Sequence, residues 1–283
     1  MFYAYTMTLS QRNDFFKAGI LVAAAFLIMI IVLSFVILPV YSSAISETTK
    51  RSTGIFQVFI TPFLQSAPHA SFASMTGAVV YAFITIILVY YFFEQTQSPE
   101  ILFFAIFVIS FSFEGIRVMV PLKIIYGLPM VYLMMGSRIL LFARYFGIFS
   151  LFTASVYASG LEVQKQRNTL LVITVADLMI ALGVPIDGFV WDSSLSMISG
   201  YPGMFNMVEL GVIVISTLSF FVSAYSRGTK EYLLIGLGSL LVFFGRNMLL
   251  STDTWVTLLP GLLLLALGTW FVCTQLHRVY LWF

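Results

Sequence analysis

Long apolar stretches separated by short polar ones dominate the chain. Most of them run for about 18 to 25 residues, the length that a helix needs to cross about 30 Å of hydrocarbon. Apolar and polar residues do not alternate over short segments, as the strands of a transmembrane barrel would require. The pattern therefore predicts an all-α fold, a polytopic transmembrane helical bundle that forms a single membrane domain over residues 1–283.

About eight spans are predicted from these stretches. Their approximate limits are 18–40, 73–94, 100–120, 138–160, 169–186, 205–226, 231–251 and 254–276. The third is the least regular, and a seven-span alternative would place the termini on opposite sides of the membrane.

Two further segments are apolar without qualifying as spans. Segment 54–64 is too apolar for a free loop and too short to cross, which suits an interfacial or re-entrant helix, or packing over the bundle. Segment 121–137 is broken by proline and glycine, which suits a lid or a half-helix that dips into the outer leaflet.

Composition strengthens the membrane prediction. The chain is 60% hydrophobic and only 9% charged, whereas soluble domains are about 25% charged. It has no basic tract, so no nucleic-acid partner is expected. The expected partners are membrane lipid, other membrane protein subunits and a small-molecule ligand.

Lysine and arginine beside the spans indicate the orientation, because positively charged flanks are retained in the cytoplasm. With the N-terminus inside, the inner side receives Arg12, Lys17, Lys165, Arg167, Arg227, Lys230 and Arg278, and the outer side receives Lys50, Arg51, Lys123 and Arg138. This bias predicts that both termini are cytoplasmic. The expected location is a bacterial plasma or inner membrane.

Six ionisable residues fall inside the predicted spans. They are Glu114, Arg117, Arg144, Asp177, Glu209 and Arg246. Three acids and three bases can neutralise one another, as a medium of low dielectric requires. Glu114 and Arg117 share one helix face because they are three residues apart. All six except Asp177, which lies near mid-span, are predicted to lie in the outer half of the membrane.

This gathering of charges predicts a polar pocket that opens to the outside. Asn206 and Asn247 add hydrogen-bonding groups at the same level, and the loop 187–192 is placed to cover it. Two alternatives stay open. In the first, the charged residues form structural salt bridges or contact lipid phosphates. In the second, they move protons or ions.

No catalytic motif occurs in the sequence, so the chain is predicted not to be an enzyme, and no cofactor or metal is expected. His69 and His277 are predicted to lie on opposite sides of the membrane, where they cannot share a metal.

In layout alone the chain distantly resembles the membrane-sensor modules of bacterial signalling proteins, which also bundle seven or eight hydrophobic helices, but it carries no diagnostic motif of that family. Those modules usually feed a cytoplasmic output domain, whereas about six residues follow the last predicted span. The leading hypothesis is a non-enzymatic integral membrane protein, either sensor-like or a subunit of a larger complex, whose outward pocket binds a small molecule or lipid. The alternative is a secondary transporter that takes substrate from the outer side.

Overall fold

The computed structural model describes residues 8–46 and 68–281, and these ranges form an all-α bundle with one short hairpin. The helices are α1 (Leu9–Ser46), α2 (Pro68–Phe93), α3 (Pro99–Ser110), α4 (Met119–Tyr126), α5 (Met130–Ala158), α6 (Gln166–Gly183), α7 (Pro202–Arg227), α8 (Lys230–Leu250) and α9 (Trp255–Leu281). A 3₁₀ segment, Phe111–Val118, joins α3 to α4, and another, Val163–Lys165, precedes α6. Strands β1 (Ile186–Trp191) and β2 (Met197–Ser199) form the antiparallel hairpin between α6 and α7. The predicted interfacial segment 54–64 lies outside the described residues.

Seven helices within the described ranges are long and apolar enough to cross a membrane. They are Leu9–Val40, His69–Phe93, Pro99–Tyr126, Met130–Ala158, Pro202–Arg227, Lys230–Leu250 and Trp255–Tyr280. The all-helical bundle predicted from the sequence is thereby confirmed.

The predicted half-helix or lid at 121–137 is wrong. The third span continues through α4 to Tyr126, and Gly127 ends it with a φ of +64°. Helix α5 then starts at Met130, about two turns earlier than its predicted start. Pro121 did not signal a break, because it lies in the first turn of α4, where the missing N–H is tolerated.

The predicted fifth span corresponds to α6, whose first three residues are polar and which is shorter than the other spans. Tyr157 of α5 donates a hydrogen bond to Thr169 at one end of α6, and Arg138 of α5 donates to the carbonyls of Ala181 and Leu182 at the other. Residues 138 and 157 are about 28 Å apart along α5, close to the hydrocarbon thickness of about 30 Å. Helix α6 therefore runs antiparallel to α5 across most of the bundle.

The bundle has two ends, which we call the terminal face and the hairpin face. At the terminal face, Arg12 of α1 donates to the carbonyl of Phe93 at 2.9 Å, and Tyr280 of α9 donates to Glu100 of α3 at 2.6 Å. Both chain ends of the described bundle therefore lie at the terminal face. The hairpin lies at the opposite face. That the terminal face is cytoplasmic remains a prediction.

Helix α3 is the centre of the bundle. Every residue from Pro99 to Val108 is buried, so this helix contacts protein on all sides. Its start follows from local chemistry, since the hydroxyl of Ser98 accepts from the amide of Ile101 and Pro99 opens the first turn. From Ile101 to Ile109 its sequence is apolar on every face, which explains why it is surrounded by the other helices.

Helices α8 and α9 approach each other most closely at glycines. A Cβ added at Gly245 would lie 2.6 Å from the amide nitrogen of Leu265 and 2.8 Å from the carbonyl oxygen of Gly261. A Cβ added at Gly268 would lie 2.7 Å from the carbonyl oxygen of Gly238. Small residues at these positions let the two backbones touch, as is common between membrane helices.

We expect Gly245→Ala to destabilise the bundle, because the added methyl group would push α9 away from α8. Overpacking of this kind costs about 1–3 kcal/mol, or about 2–4 °C of Tm for each kcal/mol, measured by differential scanning fluorimetry in detergent. Gly211→Ala in α7 is the matched control, because nothing lies within 4 Å of its added Cβ. An equal effect of the two substitutions would contradict the close contact.

The crossing of α6 can be tested by labelling single cysteines with a membrane-impermeant maleimide. In a Cys273→Ala background, Gln164→Cys and Val190→Cys place one exposed thiol before α6 and one after it. We expect only Val190→Cys to react in intact cells, and Gln164→Cys to react after the membrane is permeabilised. Labelling of both from one side would show that α6 does not cross.

Candidate functional site under the hairpin

The candidate site begins with the 3₁₀ segment Phe111–Val118, which interrupts the third span. A 3₁₀ helix has three residues per turn, so Glu114 and Arg117 lie directly above one another on one face. On another face, a Cβ added at Gly115 would lie 3.5 Å from Met29 of α1 and 3.6 Å from Val79 of α2. The segment therefore holds its acid and base away from α1, toward α5 and the hairpin.

Glu114 is the centre of the charge network. Its side chain is 2% exposed, and both of its oxygens accept hydrogen bonds from Arg144 of α5, at 2.7 Å from Nε and 2.8 Å from Nη2. Arg117 approaches the same carboxylate less closely, with Nη1 3.5 Å from Oε2. The bidentate pair joins the third span to α5 and satisfies the buried acid.

A second ion pair extends the network to α7 and α8. Arg246 Nη1 lies 3.3 Å from Oε2 of Glu209, and Arg246 Nη2 lies 3.5 Å from the backbone carbonyl oxygen of Arg144. These contacts bring together five of the six predicted residues, which we call the arginine cluster: Glu114, Arg117, Arg144, Glu209 and Arg246. Its three arginines and two carboxylates carry one excess positive charge.

The hairpin covers the cluster. Arg117 donates to the backbone carbonyl of Ser194, and Arg144 Nη2 donates to the hydroxyl of Ser196 at 3.1 Å. Leu195, between these residues, is buried although its φ is +61°, a conformation that bulky side chains rarely adopt. The sequence placed a cover at 187–192, whereas the residues that contact the cluster come from the turn after β1.

One edge of the cluster remains accessible. The side chains of Arg144 and Glu209 are 21% and 22% exposed, whereas that of Arg117 is fully buried. Both predicted pocket amides are exposed, and Asn247 accepts from Arg246 Nη1 at 3.0 Å, while Asn206 lies one turn before Glu209 in α7. We call Arg144, Asn206, Glu209 and Asn247 the exposed edge.

Asp177 is not part of the cluster. It is fully buried in α6, and neither of its carboxylate oxygens has a hydrogen-bond partner among the described residues. The six predicted ionisable residues therefore do not meet at one site, because five form the arginine cluster and Asp177 lies apart from them in α6. Depth along a helix can be read from the sequence, but the direction in which the side chain points around the bundle cannot.

A second buried polar group lies at the terminal face, where sequence reasoning expected almost no charge in the membrane. Glu100 is 3% exposed and accepts from the hydroxyls of Ser98 at 2.7 Å and Tyr280 at 2.6 Å. With Ser239 and apolar residues of four other helices it lines a small cavity. The burial of Glu100 could not be predicted from the sequence, because this residue lies in the first turn of α3 and acids are common near helix starts in solvent.

No group of three or more metal-ligating side chains occurs in the parts of the chain that the structure describes. His69 lies at the start of α2 and His277 near the end of α9, where its ring contacts those of Phe92 and Phe93. These helix ends are at opposite faces of the bundle, so the two histidines are far apart.

Comparison with protein-family models, with curated proteins and with solved structures finds no match for this chain. Its class therefore follows from the helices themselves, which are those of a multi-pass integral membrane protein.

We expect Arg144→Leu to destabilise the protein strongly, because it leaves the buried carboxylate of Glu114 with only the weaker contact to Arg117. Breaking one side of a buried ion pair costs about 3–5 kcal/mol, which would appear as a large fall in Tm. Arg167→Leu is the matched control, because it removes an exposed arginine. Adding Glu114→Gln to Arg144→Leu should restore part of the loss. Equal Tm values for the two single variants would contradict this role.

Proposed function

We propose that the chain is a non-enzymatic membrane protein, sensor-like or a subunit of a larger membrane complex, that binds a small anionic molecule or an anionic lipid headgroup at the hairpin face. The observation that carries the proposal is the excess positive charge of the arginine cluster beside an exposed edge. A buried charge without full compensation is costly, and an anion at the edge would lower that cost. The proposed location is a bacterial inner membrane.

The exposed edge has the chemistry that a headgroup needs. Nε and Nη2 of Arg144 donate to Glu114, which leaves Nη1 as the guanidinium donor for a ligand. The amides of Asn206 and Asn247 lie at the ends of α7 and α8 that reach the hairpin face. Arginine binds phosphate and carboxylate through paired N–H groups. The carboxylate of Glu209 also lies at the exposed edge, and its negative charge weakens the attraction of this edge for an anion.

Lipid and protein neighbours have a surface to contact. Helices α6 and α7 carry the large exposed apolar side chains Val172, Met179, Met207, Leu210 and Val222, each at least 60% exposed. Such a surface in a soluble protein would be a liability, but in a bilayer it is the expected contact with acyl chains or with another subunit.

Transport is the second candidate, and the Glu100 group favours it because it supplies a polar site at the other end of the same central helix. The residues between the two ends oppose it. Phe103, Phe104 and Phe107 of α3 are at most 1% exposed, and they form an apolar layer between Glu100 and the 3₁₀ segment. A substrate path would have to displace this layer, so we rank transport second.

Lipid-dependent stability tests the proposed binding. Phosphatidylglycerol added to the detergent-purified protein should raise the Tm by about 2 °C or more beyond the effect of phosphatidylcholine, because a ligand that binds only the folded state stabilises it. Glu209→Gln should enlarge this difference, since it removes the acid from the edge, and Arg144→Gln should abolish it.

Arg138→Gln is the control for general surface charge. Arg138 lies at the same face, but its Nη1 donates to the carbonyls of Ala181 and Leu182 at the end of α6. We expect it to keep the preference for phosphatidylglycerol. Equal shifts for the two lipids in the unaltered protein, or a preference that Glu209→Gln does not change, would contradict the proposal.

A further inference from the structure

Asp177 of α6 is the one acid in the described parts of the chain that is buried without a partner. It is fully buried, and neither of its carboxylate oxygens accepts a hydrogen bond from a described residue. The other buried acids are compensated, since Glu114 accepts from Arg144 and Glu100 accepts from two hydroxyl groups. Asp177 has neither a base nor a hydroxyl group.

The position of Asp177 around α6 explains its burial. Ile173, Asp177 and Ala181 are buried, and their spacing of four residues places them on one face of the helix. Val172 and Met179 lie on the opposite face and are largely exposed. Helix α6 packs mainly against α5. Asp177 therefore lies on the packed side of α6 and not on the side open to lipid.

The charged groups near α6 do not compensate this carboxyl group. The ionisable residues of α5 are Tyr132, Arg138, Arg144, Tyr145 and Tyr157. Arg138 reaches the end of α6, but its Nη1 donates to the carbonyls of Ala181 and Leu182, about one turn beyond Asp177. Arg167 of α6 itself is ten residues earlier, about 15 Å along the helix. Burial is thus the main influence on the Asp177 carboxyl group.

The protonated form of the carboxyl group suits this environment. An ionised carboxylate loses its water on burial, and here no protein group replaces that water, so the ionised form is strongly disfavoured. The protonated form is neutral, and its O–H can donate to a backbone carbonyl of the preceding turn. A proton also needs no cavity, unlike a larger ligand. Chemistry and space therefore both select a proton at Asp177.

We propose that Asp177 is a proton-binding site whose proton holds α6 against α5. Loss of the proton leaves a negative charge on the packed side of α6, and this helix then separates from α5 far enough to admit water. The hairpin moves with it, because β1 begins at Ile186 and α6 ends at Gly183. The site is separate from the exposed edge, so the proposal does not rest on lipid binding.

Infrared spectroscopy of the unaltered protein tests for the proton. A protonated carboxyl group gives a carbonyl band distinct from those of ionised carboxylates and of the backbone. We expect this band at neutral pH, and we expect it to shift when aspartate carries an isotope label at its side-chain carboxyl carbon. Carboxyl groups in water are ionised at this pH, and Asp14, Asp192 and Asp253 are not buried. A spectrum without a label-sensitive band would overturn the proposal.

The pH dependence of the Tm tests the effect of the proton on stability. Unfolding exposes the carboxyl group to water, where it ionises above about pH 4. Unfolding therefore releases a proton, so the Tm should fall as the pH rises, by about 3 to 5 °C per pH unit. Asp177→Asn keeps the shape of the neutral group and should lack this contribution. Asp14→Asn removes an exposed acid and should retain it. Equal pH profiles for Asp177→Asn and the unaltered protein would overturn the proposal.

Amide hydrogen exchange tests the release of α6. At a pH where the infrared band has disappeared, the amides of α6 should exchange faster in the unaltered protein than in Asp177→Asn. Both proteins are measured at the same pH, so the chemical exchange rate is the same. The amides of α3 are the control, because this helix is packed on every side and should exchange equally in both. Equal exchange in α6 would overturn the proposal. The infrared test needs no variant and therefore decides the question even where Asp177→Asn does not fold.

Discussion

The bidentate pair between Glu114 and Arg144 is the interaction on which the hairpin half of the bundle depends. A carboxylate in this position is tolerated only because two short hydrogen bonds satisfy it. The pair fixes the 3₁₀ segment against α5, and the backbone of Arg144 then receives Arg246, which binds Glu209. These contacts connect the 3₁₀ segment, α5, α8 and α7 in turn. The hairpin packs against two of the arginines, Arg117 and Arg144.

Much of this arrangement follows from the sequence, because apolar length fixes the spans and the need for neutrality groups opposite charges. The spacing of Glu114 and Arg117 predicts a shared face, and the 3₁₀ geometry aligns them more closely than an α-helix would. The contacts of Arg144 and Arg246 were not predictable, since they depend on how each helix is rotated about its axis. Asp177 shows the same limit, because its depth gave no indication that its carboxylate would be buried without a hydrogen-bond partner among the described residues.

The hairpin and Glu100 escaped prediction for different reasons. The hairpin is short, and its contacts use a backbone carbonyl and a serine hydroxyl, groups that carry no distinctive sequence signal. Glu100 has the position of an ordinary acid in the first turn of a helix, and only the packing of α9 against it, through Tyr280, reveals that it is buried. The local sequence pattern predicts the helix in which a residue lies, whereas the burial of that residue depends on which other helices pack against it.

The connectivity of the hairpin indicates how a bound ligand would act on the rest of the molecule. Helix α3 is packed on every side and leaves little room for movement along the bundle axis. The hairpin, in contrast, is continuous with α6 and α7, whose outward faces are the apolar surfaces open to lipid or to a partner. A ligand that tightens or releases the arginine contacts would therefore act first on these two helices. Under the proposed function, the signal leaves the protein sideways in the membrane plane, toward a neighbouring subunit.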